Sequence, residues 1–411
     1  MKILFICDEF PPGKTGGIGT ATQLLAKSLA LQGHQIFVAG LYTHGYGGAD
    51  FETTVEGVQV WRLRYKTDIG LIKTHRSFMD KLAIQVLRKL GILGKDSHSR
   101  IAELFSFVTG LIEKHDIDIV EMPDWNDFFL NISPGPYHIP PFNAPLVVKM
   151  HGSHSYFRRT EHLPLKADMV AKELALYERA EALSAVSRYT ADTCKEIYGL
   201  EKPIEVLYNG VELRPYKDVS ARANCNEVVY SGSMMKKKGI YALINAWNTV
   251  NSIMPGATLH VYGKGNFHPI QALLTENAIK TVTFYGHVGR DILMAALEKA
   301  DLAVFPSFTE TFGMAAAEAM GTGCPVIFTT LTSGPELITD RVDGLLIDPR
   351  SPAQLSEIIV NTLNDRMLRV KIGKGGYEKV RKAFETSHVA EMHVNFYNGV
   401  IAQYKTKRVG T

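Results

Sequence analysis

Short β-rich runs of four to six residues, each followed by a loop rich in glycine or proline and then by a helical period, recur along nearly the whole chain. In the first half they fall at residues 2–7, 58–63, 117–122, 146–150 and 183–187, and a helix is predicted over 20–32 after a loop at 9–19. A strand with one face in water alternates polar and apolar residues. A continuous apolar run suits a strand buried on both faces, as in a parallel sheet between helices. The second half follows the same pattern, with EVVYSG, a helix near 240–250, ATLHVYG, TVTFYG, a helix near 291–299, DLAVFPS, a helix near 314–321 and CPVIFT, and with helix from Pro352 onward. This alternation predicts an α/β fold. Residues 208–226 hold turn formers and almost no apolar period, which marks a boundary. The expectation is two doubly wound Rossmann-like domains, 1–207 and 208–388, facing a cleft, with a last helix at 389–411 packing back on the first. A chain of 411 residues is long enough for two such cores.

Composition narrows the function classes. The formal net charge of +3 creates no field that demands a nucleic acid. Cys7, Cys194, Cys225 and Cys324 lie far apart with no CxxC, which excludes a disulfide scaffold and a zinc site readable from spacing, and fits a reducing compartment. The first apolar run is about five residues, shorter than the ~7 of a signal peptide, and no stretch nears the ~18 of a spanning helix. A cytoplasmic protein is expected, with room for peripheral contact at the inner face of a membrane. Residues 62–100 carry ten Lys or Arg against Asp68, Asp80 and Asp96, and Leu82, Val86, Leu90 and Leu93 form an apolar stripe. Such a segment either lies on an anionic membrane or packs on its own domain.

Ligands of open parallel sheets bind outside the carboxyl ends of the strands, so the loops there carry the chemistry. The loop GKTGGIGT, with Gly16, Gly17 and Gly19, is not a P-loop, because Asp8 stands where glycine is required, and it is not GxGxxG. It reads as a strand-to-helix turn whose amides suit phosphate or sugar hydroxyls, with a plain tight turn as the alternative. In PSFTETFGMAAAEAMGTGCPVI (306–327), a strand end leads to Glu310, then to an alanine-rich helix containing Glu318. The helix start can take a diphosphate. Glu318 can accept from a ribose diol along the helix, and Glu310 faces whatever is joined to the far phosphate. Base contacts fall to the backbone of 286–288, including Val288. Asp124 and Trp125, at another strand end, suit an acceptor sugar, or else pack the cleft floor. His151 and His154 in HGSH have no third ligand nearby, so no metal is expected. Asp116 and Asp118 precede a strand, at the wrong edge for a ligand, and are expected to be solvated.

With these motifs in place, the chain resembles the family 4 glycosyltransferases, retaining enzymes of GT-B architecture. The resemblance spans KILFICDEFPPGKTGGIGT, the His-Gly after residues 146–150, VSRYT, YNGV, KKKGI, VYGKG, FYGHV, the Glu-x7-Glu segment, SGPELI and DGLLIDP. It implies that Glu318 holds the ribose of a nucleotide sugar and that Glu310 lies by the donor sugar. The backbone at Phe312, Gly313, Met314 and Ala315 would reach sugar and phosphate, His151 the donor sugar, and Gly16, Gly17 and Gly19 the acceptor or diphosphate. One position departs. Where the family has Gly-Arg-Leu-x3-Lys-Gly, this chain has Gly232-Ser233 and then Lys238-Gly239, so Lys238 matches and Ser233 replaces the arginine that would help neutralise the diphosphate.

The function implied is metal-independent, cofactor-free transfer of a hexose from a nucleotide diphosphate sugar to a glycan, lipid-linked or small-molecule hydroxyl, with retention. A nucleotide-sugar epimerase of the same architecture, a phosphorylase with a pyridoxal cofactor, and a non-catalytic partner subunit, the last motivated by Ser233, are the alternatives.

Overall fold

The apolar run that opens the chain is strand β1 (Lys2–Ile6), buried at four of its five positions. The computed structural model describes residues 1–12, 16–42, 49–68, 78–126, 128, 139–216 and 225–409. By internal contacts it divides into two units: Met1–Val186, Thr190–Gly210 and the chain from Val389 onward form the first, and Ser187–Tyr189 with Val211–His388 form the second.

In the first unit β1 is followed by α1 (Gly17–Leu31), β2 (Gln35–Tyr42), β3 (Phe51–Thr53), β4 (Gln59–Arg64), α2 (Phe78–Lys89), α3 (Ile92–His115), β5 (Ile119–Pro123), β6 (Leu146–Met150), α4 (His154–Thr160), α5 (Ala167–Arg179), β7 (Ala182–Ala185), α6 (Arg188–Tyr198) and β8 (Ile204–Val206). The sheet order is β3-β4-β2-β1-β5-β6-β7-β8. All neighbours are parallel except β3 and β4. The antiparallel β3 is a short addition at the edge of an otherwise parallel sheet. It is three residues long and closes the edge with the Phe51 ring 5.1 Å from that of Trp61, a cross-strand contact that no periodicity in so short a run reveals.

In the second unit β9 (Glu227–Ser231) leads through a 3-10 turn (Lys236–Lys238) to α7 (Ile240–Ile253), β10 (Thr258–Tyr262), α8 (His268–Gln271), β11 (Val282–Gly286), α9 (Arg290–Lys299), β12 (Leu302–Phe305), α10 (Met314–Gly321), β13 (Val326–Thr329), α11 (Gly334–Leu337), β14 (Leu345–Ile347), α12 (Pro352–Asn364) and α13 (Arg366–Ala383). Its sheet, β11-β10-β9-β12-β13-β14, is parallel throughout. The last helix, α14 (Thr386–Val409), sends Ala390, Tyr397 and Val400 into the core of the first unit, against a cluster that includes Ile3, Ile119 and Val147. The second core is built on Trp247, whose Nε1 donates to Thr281 Oγ1 at 3.1 Å, with Val228, Leu302 and Ile327 from the sheet. Each such aliphatic side chain removed from water stabilises the fold by about 1.5–3 kcal/mol.

Both sheets reverse strand order once, between β1 and β5 and between β9 and β12. The loops that follow these strands are therefore the places where a ligand meets a doubly wound sheet.

Candidate functional site

In the second unit the loops after β9 and β12 run side by side, because the two strands are paired. Tyr230, near the end of β9, is buried and donates its hydroxyl toward the carbonyls of Ser233 (3.3 Å) and Lys238 (3.1 Å), which pins the intervening loop. The backbone N–H of Phe308 donates to Lys237 O at 2.8 Å and stitches the second loop to the first. Lys238 is thereby set on Glu310. Its Nζ lies 2.9 Å from each carboxylate oxygen, and Ser307 Oγ donates to Oε1 at 2.9 Å. The two side chains are 31% and 13% exposed, a half-shielded ion pair.

Three residues beyond Glu310, Gly313 caps α10 at φ 101°, a left-handed conformation that glycine adopts without strain; a Cβ there would lie 2.6 Å from Phe328 Cζ. No side chain caps this helix, so the N–H groups of Met314, Ala315 and Ala316 have no partner within it and face out of its positive end. Phe312 is buried, its ring 5.4 Å from that of Phe384, and its carbonyl accepts from Ser333 Oγ at 3.1 Å. The Phe312 side chain therefore anchors the turn, and only its backbone is left for a ligand.

Glu318 lies one turn into α10 and its side chain is 11% exposed. Arg290, the first residue of α9 and the second after Val288, donates from Nη1 to Glu318 Oε1. Burial raises the Glu318 pKa, Arg290 opposes the rise, and Glu212 adds to it. Val288 is half-buried in the loop before α9.

In the first unit the paired strands β5 and β6 bring Asp124 beneath the His-Gly turn. Asp124 is buried; Oδ1 accepts from the N–H of His151 (2.8 Å), and Oδ2 from the N–H of Gly152 (3.3 Å) and from Tyr177 OH (3.1 Å). Burial pushes its carboxyl up to about 7 in spite of these bonds. This corrects the expectation that Asp124 meets an acceptor: both oxygens are spent inside, holding the turn that carries His151. Burial, and then Lys149, push His151 well below the usual histidine pKa, so its ring is neutral. Trp125 stacks on His154, centroids 6.3 Å apart and 17° from parallel.

The glycine loop is shorter than expected, because α1 already starts at Gly17. Gly16 is the N-cap, Gly17 is exposed, and Gly19 is buried inside the helix. A Cβ on Gly16 would meet Glu9 Oε2 at 2.3 Å, and one on Gly19 would meet the Glu9 carbonyl oxygen at 2.1 Å. Two of the three glycines thus serve the close approach of α1 to the segment after β1; residues 13–15 lie outside the described set. Asp116 is solvated as expected, whereas Asp118 accepts from the N–H of Lys2 at 2.8 Å and fixes the start of β1.

The basic segment divides. Arg64 pairs with Asp50, and the buried Arg62 with Glu52; Lys66 and Arg100 pair with Glu103. Leu93 packs inward with Ile84, while Leu82, Val86 and Leu90 are 45%, 48% and 66% exposed. Residues 69–77 lie outside the described set. Among the described residues no cluster of three or more His, Cys, Asp or Glu is placed to hold a metal ion, and no helix is long and apolar enough to cross a membrane.

The family model described as "Glycosyltransferase Family 4" matches residues 15–214, and the one described as "Glycosyl transferases group 1" matches residues 225–365. The chain belongs to the GT-B glycosyltransferases. This glycosyltransferase is similar to an uncharacterized glycosyltransferase of Methanocaldococcus jannaschii, 24% identical over 97% of this chain and 98% of the other. Its fold is similar to that of sucrose-phosphate synthase from Thermosynechococcus elongatus, with a TM-score of 0.77 and 18% identity over 98% of this chain and 99% of the other. It is also similar to Anabaena HepE, solved in complex with UDP-glucose, with a TM-score of 0.65 and 20% identity over 99% of this chain and 100% of the other. The protein is a transferase enzyme built on two parallel-sheet α/β domains.

Sequence reasoning names Lys238, Glu310 and Glu318 but does not pick out Arg290, which meets Glu318, or Tyr230, which pins the loop carrying Lys238. Arg290 has one available signal: a cation directly after the glycine-rich loop assigned to the base. Tyr230 has none, since a tyrosine ending an apolar strand looks like core.

Proposed function

We propose that this glycosyltransferase moves a hexosyl group from a nucleotide diphosphate sugar to a hydroxyl of a glycan, lipid-linked or small-molecule acceptor, with retention and without a metal ion. One observation carries the reading: Lys238 on Glu310, the open start of α10, and Glu318 a turn further along form a row on one unit. That row matches a diphosphate flanked by a sugar and a ribose. HepE, the similar structure solved with UDP-glucose, supports the same class of donor.

In this reading Lys238 and the α10 amides take the diphosphate, Glu318 accepts from the ribose, and the backbone near Val288 meets the base. Glu310 lies by the transferred sugar on this unit; on the other unit, taken by itself, the neutral His151, the Gly16–Gly17 turn and the Trp125 ring are the groups offered to a sugar or acceptor. The bond between the anomeric carbon and the phosphate oxygen breaks, and its electron pair leaves with the diphosphate. The acceptor oxygen bonds to the same face of that carbon, and the acceptor proton passes to the departing phosphate oxygen.

A thermal-shift screen of UDP-glucose against GDP-mannose tests the donor. A ligand at a hundred times its dissociation constant stabilises by about 2.7 kcal/mol. A shift with a nucleotide sugar supports the reading, and no shift with any overturns it. NMR of the product then reads the anomeric configuration, where inversion overturns retention, and loss of rate with a chelator overturns metal independence.

A lipid-linked acceptor is favoured by the apolar stripe that Leu82, Val86 and Leu90 show to solvent next to the exposed Lys89 and Lys95. Co-sedimentation with phosphatidylglycerol vesicles, but not with phosphatidylcholine vesicles, is the expected result. Leu82→Ser with Leu90→Ser should weaken it by about tenfold, since each leucine gives up apolar contact with the acyl boundary. No binding to either vesicle overturns membrane contact, and equal binding to both overturns the contribution of the lysines.

A further inference from the structure

Holding a ribose diol asks more than a carboxylate can do alone. Each hydroxyl has one hydrogen to donate and two lone pairs that accept. A carboxylate takes the hydrogens. The lone pairs, once out of water, need N–H or O–H donors, and leaving them without one is costly.

Such a donor sits beside Glu318. Arg290 Nη1 donates to Glu318 Oε1, while Oε2 accepts no hydrogen bond among the described residues. Nε and Nη2 of Arg290 are buried and have no hydrogen-bond acceptor among the described residues. The carboxylate oxygen paired with Nε, Oε2 of Glu212, is 3.7 Å away, beyond hydrogen-bond length. The guanidinium is a rigid planar fork, so committing Nη1 also fixes where Nη2 points. An acceptor without a donor and a donor without an acceptor thus lie on two side chains joined by one hydrogen bond.

We infer that Arg290 and Glu318 together clamp the cis-diol of the donor's ribose, Glu318 Oε2 accepting from a hydroxyl and Arg290 Nη2 donating to one, which makes Arg290 the residue that selects ribonucleotide over 2′-deoxyribonucleotide donors. The inference rests on the nucleotide-sugar reading above. Two further facts fit it. Arg290 opens α9 directly after the loop assigned to the base, so it stands at the nucleoside end of the row and not at the sugar end. Its charge also favours the anionic form of Glu318 against burial, and only that form accepts from both hydroxyls.

The test is calorimetric titration of the full-length protein with UDP and with 2′-deoxyuridine diphosphate. GDP and 2′-deoxyguanosine diphosphate replace them if the screen selects guanine. The wild type is expected to prefer the ribonucleotide by about tenfold or more, the worth of one hydrogen bond to a charged group. Arg290→Met is expected to lose about tenfold on UDP and much less on the deoxy compound, bringing the preference within about threefold, with Arg290→Lys between them. A wild type that binds both alike overturns the clamp without needing any variant to fold. So does an Arg290→Met protein that weakens both nucleotides equally, which is what mere support of Glu318 would produce. A wild type that binds neither diphosphate and no nucleotide sugar overturns the donor reading itself, a result distinct from tight binding without discrimination.

Discussion

Lys238→Ala is expected to lower turnover by about 10²–10³-fold, the loss found when one stabiliser of developing charge is removed from an active site. In the proposed reaction the departing nucleotide diphosphate carries at least two negative charges. The start of α10 supplies about half a positive charge, and Ser233, where the resembling family has an arginine, supplies none. Lys236 is turned toward Tyr241, its Nζ 6.0 Å from the ring centroid, so it does not share the load. Alanine also removes the lysine that bridges both oxygens of Glu310, which turns that carboxylate into a repulsive neighbour for the diphosphate. Adding Glu310→Gln to Lys238→Ala should therefore recover part of the lost rate. Steady-state rates at saturating donor measure both effects. A loss below about threefold in the single variant would remove Lys238 from the diphosphate site, because an electrostatic contact of this kind is worth far more.

What can be read in advance follows the range of the interactions. Helix α10 occupies the residues expected of it, because Gly313, the alanine run and the glycines that follow are all local signals. The pairing of Lys238 with Glu310 links residues 72 apart, yet each stands in a recognisable loop at a strand end, so topology alone brings them near. The start of α1 falls earlier than the sequence suggests because Gly16 and Gly19 answer to Glu9, a packing demand that leaves no periodic trace. Asp124 misleads for a related reason. An acidic residue at a strand end looks available, and only the fold reveals two backbone N–H groups 27 and 28 residues later that occupy it. Arg290 and its partner Glu318 sit on neighbouring helices, and residue type alone does not encode which surface charges meet.

The largest stability loss is expected at Lys149, a residue that the reading of β6 as an apolar strand passes over. It lies within LVVKM, fully covered, and a lysine there requires a partner. It has two. The carboxylate of Glu121 on the adjacent strand β5 stabilises its charge, and its Nζ donates to His393 Nε2 at 2.9 Å. His393 Nδ1 lies 2.7 Å from the Val389 carbonyl, to which it donates, so Nε2 is the free acceptor. One turn along α14, Tyr397 OH donates to Glu121 Oε2 at 2.6 Å. Strand pair and helix are therefore clasped by two buried contacts spaced i, i+4. Lys149→Met leaves His393 Nε2 without its donor and Glu121 without its nearby cation, and leaving a buried polar group unsatisfied costs about 1–3 kcal/mol, more for a charged one. Lys149→Met with Glu121→Gln should recover most of that loss. Denaturant unfolding, followed through the transition of the unit that contains α14, reads both variants. The same clasp sets a pH response. Burial, and then Lys149, hold His393 and His151 well below the usual histidine pKa of 6.5. Below pH 6.5 the unfolded chain binds protons at both histidines and the folded chain does not, so stability present above 6.5 is lost as the pH falls. Asp124, pushed up to about 7, works the other way, because the folded chain takes up its proton as the pH falls, so the comparison is made in Asp124→Asn; there, a midpoint that stays flat from pH 7.5 to 5.5 would show that these rings are not held neutral by the fold.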